Sequence, residues 1–257
     1  MYRGRFAPSP TGPLHFGSLV TAVASYLDAR ANSGVWLVRM EDVDQPRTVP
    51  GAAEDILRTL EHFGFTWDEP VLWQSRRTPA YATALKKLCD TGVAYPCSCS
   101  RAEAGEVYPG TCRPGPRNPG RPLSWRMRAD TADAGGDFVL RRSDGLFAYQ
   151  LAVVVDDAAQ GITHVVRGAD LVDSTPRHMH LFGALGFPVP CYSHVPLATN
   201  ERGEKLSKQT RAPALTARDP MPELRAALRF LNQPLPAGAT PRELLAAATR
   251  GWTRGAW

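Results

Sequence analysis

Long apolar runs are absent from this sequence. In its 257 residues no stretch approaches the ~18 uncharged apolar positions that a membrane-spanning helix needs, so no membrane span is expected. The first residues, MYRGRFAPSP, have no apolar segment after their arginines, which predicts no secretory signal and a cytoplasmic, reducing location. An apolar content of 43% with 21% charged residues excludes intrinsic disorder. We therefore expect an ordinary globular protein.

Cysteine is also scarce, with five in the chain. In a reducing compartment they indicate a metal site or spare thiols and not disulfides. Three of them lie close together: Cys97, Cys99 and Cys112. Three thiolates suit tetrahedral zinc, but a fourth ligand is needed, and no histidine lies between Cys112 and His164. On these residues alone, zinc and unused thiols stay equally open. Cys89 and Cys191 fall in apolar patterns and are interpreted as core residues.

The order of apolar and polar segments predicts an α/β core. Residues 5–60 read as strand, loop, helix, strand and helix, with a Pro- and Gly-rich loop at residues 7–13 that excludes helix there. Residues 35–38 are a continuous apolar run, typical of a parallel strand that is covered on both faces. We predict an α/β fold with a doubly wound parallel sheet, whose ligands bind at the carboxyl ends of its strands.

The second half of the chain continues this alternation. A hairpin is predicted with its turn at residues 143–145, and it is followed by a buried strand over residues 151–155. Tyr149 lies immediately before this predicted strand. Further strands are predicted at residues 163–166 and 194–197, and a helix between them is expected over about residues 175–185.

Composition divides the chain into three parts. Repeated Pro and Gly at residues 97–137 interrupt the α/β pattern, so this stretch is interpreted as an inserted module outside the main sheet. Residues 1–96 and 138–212 then form the core, and residues 213–257 hold two short helical patterns.

The inserted module is also basic. Between residues 113 and 128 it contains five arginines and no acid, which favours contact with an RNA backbone. Trp125 among them is suited to stacking on an unpaired base. A solvated linker with Trp125 tucked into the insert is an equally open interpretation.

Two polar segments of the core suit phosphate binding. The first comprises His15, Gly17 and Ser18 at a helix N-terminus, where backbone N–H groups attract anions and the missing Cβ of Gly17 admits a nucleotide. The second holds Lys205 and Lys208 in a polar loop, where two ammonium groups can clamp a polyphosphate. Taken singly, each segment is also compatible with an ordinary turn or a solvated loop.

Together these segments resemble the HIGH and KMSKS signatures of class I aminoacyl-tRNA synthetases. APSPTGPLHFGSL, VRMEDVD, FAYQLAVVVDD and VRGADL are similar to glutamyl-tRNA synthetase segments in the same order, so the resemblance runs from about Arg5 to Gln209. Two departures stand out: the second histidine of the HxGH pattern is Ser18, and only 48 residues follow Gln209. Because a further domain normally takes about 100–200 residues, no anticodon-binding domain is expected.

A shortened chain of this kind, with HFGS, KLSKQ and a cysteine-rich insert, resembles the glutamyl-queuosine tRNA(Asp) synthetases. The resemblance implies a ligase that activates glutamate with ATP and Mg²⁺ without tRNA. It then transfers glutamate to the cyclopentenediol of queuosine at the wobble position of tRNA(Asp). The implied partners are ATP, L-glutamate and that tRNA, with a monomeric protein. Two alternatives stay open: a truncated ordinary glutamyl-tRNA synthetase, and a nucleotidyltransferase of the same superfamily that uses no RNA.

The resemblance also implies a role for particular residues. The glutamate contacts are Arg5, Phe6, Ala7, Pro8, Ser9, Glu41, Tyr149 and Arg167. The ATP contacts are His15, Gly17, Ser18 and Lys208, and the catalytic residues are His15, Lys205 and Lys208. One structural zinc ion is held by Cys97, Cys99, Tyr108 and Cys112, with the phenolate oxygen as fourth ligand. By their chemistry, Arg5 and Arg167 are each expected to give a carboxylate two parallel N–H bonds, while Glu41 answers the ammonium group.

Overall fold

The computed structural model describes residues 1–129, 134–199, 213–215 and 219–255. Within them the strands are β1 (Arg3–Phe6), β2 (Val35–Met40), β3 (Leu72–Trp73), β4 (Ala94–Cys97), β5 (Ser124–Met127), β6 (Phe138–Arg141), β7 (His164–Gly168) and β8 (Cys191–Val195). The α-helices are α1 (Phe16–Ala31), α2 (Ala52–His62), α3 (Thr78–Asp90), α4 (Arg101–Ala104), α5 (Tyr149–Ala159), α6 (Thr175–Leu185), α7 (Met221–Phe230) and α8 (Pro241–Arg250). No helix in these ranges is both long and apolar enough to cross a membrane.

The parallel strands form the centre of the molecule. β1, β2 and β3 make a parallel sheet with β2 in the middle, and β7 pairs with β8 in parallel. The two sheets meet where the backbone N–H of Thr163 donates to the carbonyl of Arg3 at 3.0 Å. The predicted α/β core with parallel strands is confirmed.

Alternation along these strands sends two kinds of side chain to opposite faces. Phe6 of β1 and Trp36 of β2 pack with α1 in the main hydrophobic core. Arg5 and Arg39, from the same two strands, point to the other face, where both donate to Asp157 of α5. Helices therefore cover both faces, as a doubly wound sheet requires.

A separate antiparallel sheet contains β4, β5 and β6. β5 lies within the cysteine-rich insert and pairs on each side with a strand that flanks the insert. After β6 the chain turns back, with the N–H of Arg142 donating to the Leu146 carbonyl at 2.8 Å. The predicted turn at residues 143–145 is confirmed.

Two expectations for the second half are wrong. Residues 151–155 are not a strand but part of α5, in which residues 151–157 are all buried. A helix that is buried on all sides shows no polar face, so its short apolar run has the same pattern as a buried strand. Cys191, expected in the core, is the exposed first residue of β8. For Cys89 of α3 the same expectation holds in part, because it is half-buried and packs against a hydrophobic core.

The remaining elements of this half agree with expectation. α6 has the bounds that the sequence predicts, and the strands predicted at residues 163–166 and 194–197 correspond to β7 and β8, displaced by a few residues. α7 and α8 are the two short C-terminal helices, and Leu224, Leu228 and Leu244 from them join the main core against α1.

Candidate active site

A cavity of about 480 Å³ opens where β1, β2, β7 and β8 end. Among the residues that line it are all of the predicted glutamate contacts and three of the predicted ATP contacts: Arg5, Phe6, Ala7, Pro8, Ser9, Glu41, Tyr149, Arg167, His15, Gly17 and Ser18. These residues come from distant parts of the chain, and the fold brings them together. Lys205 and Lys208 lie outside the described residues.

The loop before α1 presents the start of that helix to the cavity. His15 is the N-cap residue, and its Nδ1 accepts a hydrogen bond from the backbone N–H of Ser18 at 3.4 Å. The loop is tied to the chain after β2, because the N–H of Glu41 donates to the Pro8 carbonyl at 2.9 Å. The first-turn N–H groups and the positive end of the helix dipole suit this end of the cavity to phosphate oxygens.

A cluster of buried charges adjoins the cavity. Asp157 accepts from Arg5 Nε at 3.1 Å and from Arg39 Nη1 at 2.7 Å, and all three side chains are almost fully buried. Arg39 Nη2 lies 3.3 Å from Glu41 Oε1. The sequence reasoning missed Arg39 and Asp157, although an arginine inside an apolar strand and an aspartate at the end of an apolar run are detectable signals.

Burial and neighbouring charges set the pKa values of the two acids. Burial by itself raises the pKa of Asp157, but the positive charges of Arg39 and Arg5 outweigh this effect and lower the pKa to about 2. This carboxylate is therefore ionised at neutral pH. The pKa of Glu41 is raised because burial outweighs the opposing effect of Arg39 and Arg5. A substrate ammonium group beside Glu41 favours its charged form, since an opposite charge lowers a carboxyl pKa.

Arg5 retains a complete edge of its guanidinium for a ligand. A guanidinium has five N–H groups. Among the described residues, Arg5 spends two of them on Asp157, from Nε at 3.1 Å and from Nη2 at 3.4 Å. The edge formed by Nη1 and Nη2 keeps two parallel N–H groups, the arrangement that matches a carboxylate. The hydrogen-bond donors of the fork expected of Arg5 are therefore not used by the described residues.

Arg167 is held differently, and it is 3% exposed. Its Nε donates to His194 Nε2 at 3.3 Å, Nη1 to His178 Nδ1 at 3.1 Å, and Nη2 to Thr175 Oγ1 at 2.9 Å and to the Leu171 carbonyl at 3.0 Å. With the described residues as partners, four of its five N–H groups are engaged. The two-bond fork expected of Arg167 is therefore wrong for this arrangement, which leaves it one donor on Nη1.

Tyr149 reaches the cavity from the first turn of α5, not from a strand. Its ring centroid lies 5.5 Å from that of His178. Burial, with a further contribution from the charge of Glu41, raises the pKa of this phenol. Tyr149 therefore contributes a protonated hydroxyl to the cavity.

The clustered cysteines of the insert converge on Tyr108. The Sγ atoms of Cys97, Cys99 and Cys112 lie within 4.8 Å of one another. Tyr108 Oη lies 3.3 Å from the Sγ of Cys97 and 3.3 Å from that of Cys99, and the Sγ atoms of Cys99 and Cys112 are 3.6 Å apart. Ligands at about 2.0–2.3 Å in a tetrahedron are separated by roughly 3.3–3.8 Å, and these three distances lie in that range, so the cluster could hold a zinc ion.

The surroundings of this cluster favour the thiolate of Cys112, whereas burial raises the pKa of the Cys99 thiol and of the Tyr108 phenol. Burial by itself raises the pKa of the Cys112 thiol, but hydrogen bonds from Tyr108 and from the backbone of Arg117 and Ser98 outweigh this effect and lower the pKa to about 6. The thiolate is the form that binds metal. The cluster can therefore hold a metal ion near neutral pH.

Arg126 of β5 packs against the same cluster. Its Nε donates to Cys97 Sγ at 3.3 Å, and its guanidinium carbon lies 4.0 Å from the ring centroid of Tyr108. The residue is 8% exposed. Arg126 therefore supports the cysteine cluster and is not a surface contact for RNA.

The other arginines of the basic stretch divide into two groups. Arg113 forms an ion pair with Asp137 at 2.6 Å, and Arg128 Nη2 donates to the Arg113 carbonyl at 3.1 Å, so both support the insert. Arg117 and Arg121 are exposed. Trp125 is half-buried against the core that contains α3 and α5. The position of Trp125 favours the interpretation in which this side chain is tucked into the fold. The contacts of Arg113, Arg126 and Arg128 within the insert overturn the expectation that the whole basic stretch faces RNA.

The fold and the cavity define the catalytic domain of a class I aminoacyl-tRNA synthetase. The family model for "tRNA synthetases class I (E and Q), catalytic domain" matches residues 1–107 and 122–221. The proteins named Glutamyl-Q tRNA(Asp) synthetase from Dechloromonas aromatica and Thiobacillus denitrificans are 55% and 56% identical. The first match covers 98% of this chain and 94% of the relative, and the second covers 97% and 92%. The chain therefore belongs to the class I synthetase family, among the glutamyl-Q tRNA(Asp) synthetases, and is a ligase.

Solved structures agree with this placement. The glutamate-tRNA synthetase of Elizabethkingia anophelis has a TM-score of 0.79 and 25% identity, with 98% of this chain and 66% of that chain covered. A glutamate tRNA ligase from Elizabethkingia meningosepticum, in complex with its amino acid, has a TM-score of 0.78 and 25% identity, with 98% and 64% covered. This chain thus spans about two thirds of the length of both structures.

Proposed function

We propose that this protein activates L-glutamate with ATP in the absence of tRNA, then transfers it to the cyclopentenediol of queuosine at the wobble position of tRNA(Asp). The proposal is carried by the meeting of Arg5, Glu41, Tyr149 and Arg167 in one cavity beside the start of α1. The names of relatives that are 53–56% identical support it. So does the structure of a 25% identical relative in complex with its amino acid.

Glutamate offers two carboxylates and one ammonium group to this cavity. The remaining edge of Arg5 binds one carboxylate through two parallel bonds, and the single donor of Arg167 adds a third bond to a substrate carboxylate. Glu41 receives the ammonium group, and Tyr149 supplies a hydroxyl. Each functional group of the amino acid thereby meets a partner of opposite charge or matching polarity.

In the first step an oxygen of the glutamate α-carboxylate attacks the α-phosphorus of ATP. A new P–O bond forms, the bond to pyrophosphate breaks, and glutamyl adenylate results. A carboxylate has no proton to lose, so no general base is required. Catalysis then depends on alignment and on neutralising the charge that moves to the leaving oxygens. We assign that role to the start of α1 with His15 and to Lys205 and Lys208, with Mg²⁺ as the expected cation on the phosphates.

In the second step a hydroxyl of the queuosine ring attacks the carbonyl carbon of the adenylate. An ester forms, AMP leaves, and the proton of the hydroxyl passes to the solvent. One structural zinc ion on Cys97, Cys99, Tyr108 and Cys112 would cross-link the insert. The phenolate oxygen of Tyr108 would complete the donor set, with the charge of the ion opposing the burial that raises the pKa of this phenol.

The activation step is tested by ATP–pyrophosphate exchange with purified protein. We expect exchange that requires L-glutamate and proceeds with no tRNA present. Lys208→Ala should reduce it sharply while zinc content stays unchanged. Exchange that requires tRNA would instead favour an ordinary glutamyl-tRNA synthetase, and robust adenylate formation without modification of any tRNA would favour a nucleotidyltransferase.

A further inference from the structure

We propose that His178 is a positioning residue for the amino-acid site: it orients the Arg167 guanidinium so that a single N–H is offered to the substrate carboxylate. The inference rests on the proposed function, because it concerns the arginine assigned there to glutamate. It goes beyond that assignment by naming the residues that hold the arginine in place.

In the described part of the chain, none of the hydrogen-bond partners of Arg167 is an acid. They are two imidazole nitrogens, one hydroxyl and one backbone carbonyl, at 2.9 to 3.3 Å. Arg5 and Arg39, by contrast, share the carboxylate of Asp157. Among the described residues no carboxylate forms an ion pair with Arg167.

A buried cation without a counter-charge is costly, and a ligand that brings the counter-charge is strongly favoured. Arg167 lines the cavity and is almost fully buried. A carboxylate in place of one of the neutral acceptors would hold the guanidinium equally well but would neutralise it. Neutral acceptors fix its direction and leave its charge for the substrate. The one remaining Nη1–H is the donor through which a substrate carboxylate can approach.

His178 is suited to this task because it stays neutral. It lies on α6 with no exposed surface, and its Nδ1 accepts from Arg167, so the ring proton resides on Nε2. Burial and the charge of Arg167 lower its pKa to about 3, with Asp157 opposing and Arg5 and Arg39 reinforcing the shift. A protonated ring would have no acceptor to offer the guanidinium.

Two further residues complete the support. Thr175 begins α6, and its Oγ1 accepts from Arg167 Nη2 at 2.9 Å while lying 3.1 Å from His194 Nε2. The ring of Tyr192 faces the guanidinium, with its centroid 4.9 Å from the central carbon. The first turns of α6 and strand β8 thus fix Arg167 from separate sides.

The proposal is tested by steady-state ATP–pyrophosphate exchange with His178→Leu, His178→Gln and Thr175→Val. A hydrogen bond to a charged group is worth enough that His178→Leu should raise the KM for glutamate about ten- to a hundredfold. The KM for ATP should stay within about twofold, since the nucleotide end is untouched. His178→Gln should recover most of the loss, because its amide oxygen accepts in place of Nδ1.

His180→Leu is the matched control. His180 lies two residues further along α6, where its Nε2 contacts the Arg128 carbonyl at 2.8 Å and not the cavity, so its kinetic constants should match the wild type. An unchanged glutamate KM in His178→Leu, an equal rise in both KM values, or His178→Gln as impaired as His178→Leu would overturn the proposal. If His178→Leu does not fold, Thr175→Val decides by the same criteria.

Failure of the proposed function would look different. In that case the wild type itself would show no glutamate-dependent exchange. Calorimetric titration of L-glutamate into wild-type, His178→Gln and Thr175→Val protein then tests the positioning role separately. Weaker binding by Thr175→Val with near-normal binding by His178→Gln supports it, and equal affinities in all three overturn it.

Discussion

At the scale of single residues, the site depends on charges that are paired in two different ways. Arg5 and Arg39 pair with the carboxylate of Asp157 in the interior, and Arg39 also contacts Glu41, whereas the partners of Arg167 among the described residues are neutral acceptors. The resemblance of short motifs was enough to predict about half of the residues that line the cavity. It did not predict Asp157 or His178, because their partners are distant in sequence and the pairings exist only once α5 and α6 have packed against the sheet.

Asp157→Asn should destabilise the fold. The change leaves the buried Arg5 guanidinium without its carboxylate and removes one of the two carboxylates that Arg39 contacts, and breaking a buried pair in this way costs about 3–5 kcal/mol of unfolding free energy. Chemical denaturation measures the effect. The control is Asp90→Asn, whose exposed partner is Lys86 at 2.6 Å, with an expected loss below about 0.5 kcal/mol. Similar small losses in both variants would contradict the buried-pair interpretation.

His178 should make the protein sensitive to acid. Its pKa is about 3 in the folded state, well below the 6.5 of an unperturbed histidine side chain. As the pH falls below 6.5, the unfolded chain gains a proton that the folded chain does not take up. The free energy of unfolding therefore falls by about 1.4 kcal/mol per pH unit for this group, until the folded pKa is reached.

His178→Gln removes this contribution and leaves the other titrating groups in place. Denaturant titrations at about pH 7, 6 and 5 should show that the free energy of unfolding falls more steeply with decreasing pH in the wild type than in the variant. The difference in slope should correspond to the uptake of close to one proton on unfolding. Parallel stability curves would show that His178 is not buried in its neutral form.

At the scale of elements, the sheet of β4, β5 and β6 carries the cysteine cluster, and β5 supplies its neighbouring cation. Chain patterns predicted α6 and the parallel strands well, because their apolar runs are bounded by Gly, Pro or polar residues. They failed for α5, since a fully buried helix and a buried strand have the same short apolar run. The structural roles of arginines in the insert were also hidden, because charge counts carry no information on burial.

Arg126→Met should weaken retention of zinc. The guanidinium of Arg126 beside Cys97 and Tyr108 would offset the negative charge of the thiolate and phenolate donors. Loss of a residue that supports metal ligands in this way typically lowers the affinity for the metal about 10- to 100-fold. Competition with a coloured chelator measures the dissociation of zinc. Arg121→Met, which removes a surface pair with Glu103 at 3.0 Å, serves as control and should retain zinc normally. Equal zinc retention in both variants would exclude this role for Arg126.

At the scale of the whole molecule, a parallel α/β core holds a cavity at the ends of its strands. A small antiparallel sheet beside the cysteine cluster adjoins this core in sequence, and α7 and α8 pack against α1. The cavity gathers the residues to which we assign the binding of glutamate. We propose that the activated glutamate goes to a base-modified nucleotide in the anticodon and not to the 3′ end of a tRNA.

Mapping the site of transfer tests this claim most directly. Labelled glutamate and ATP would be incubated with the protein and total tRNA, and the labelled nucleotide would then be isolated after nuclease digestion. We predict label on queuosine at the wobble position of tRNA(Asp), with none after periodate cleavage of the queuosine diol. Label on the 3′-terminal adenosine, or equal labelling of tRNA(Asp) that carries unmodified guanosine, would contradict the account.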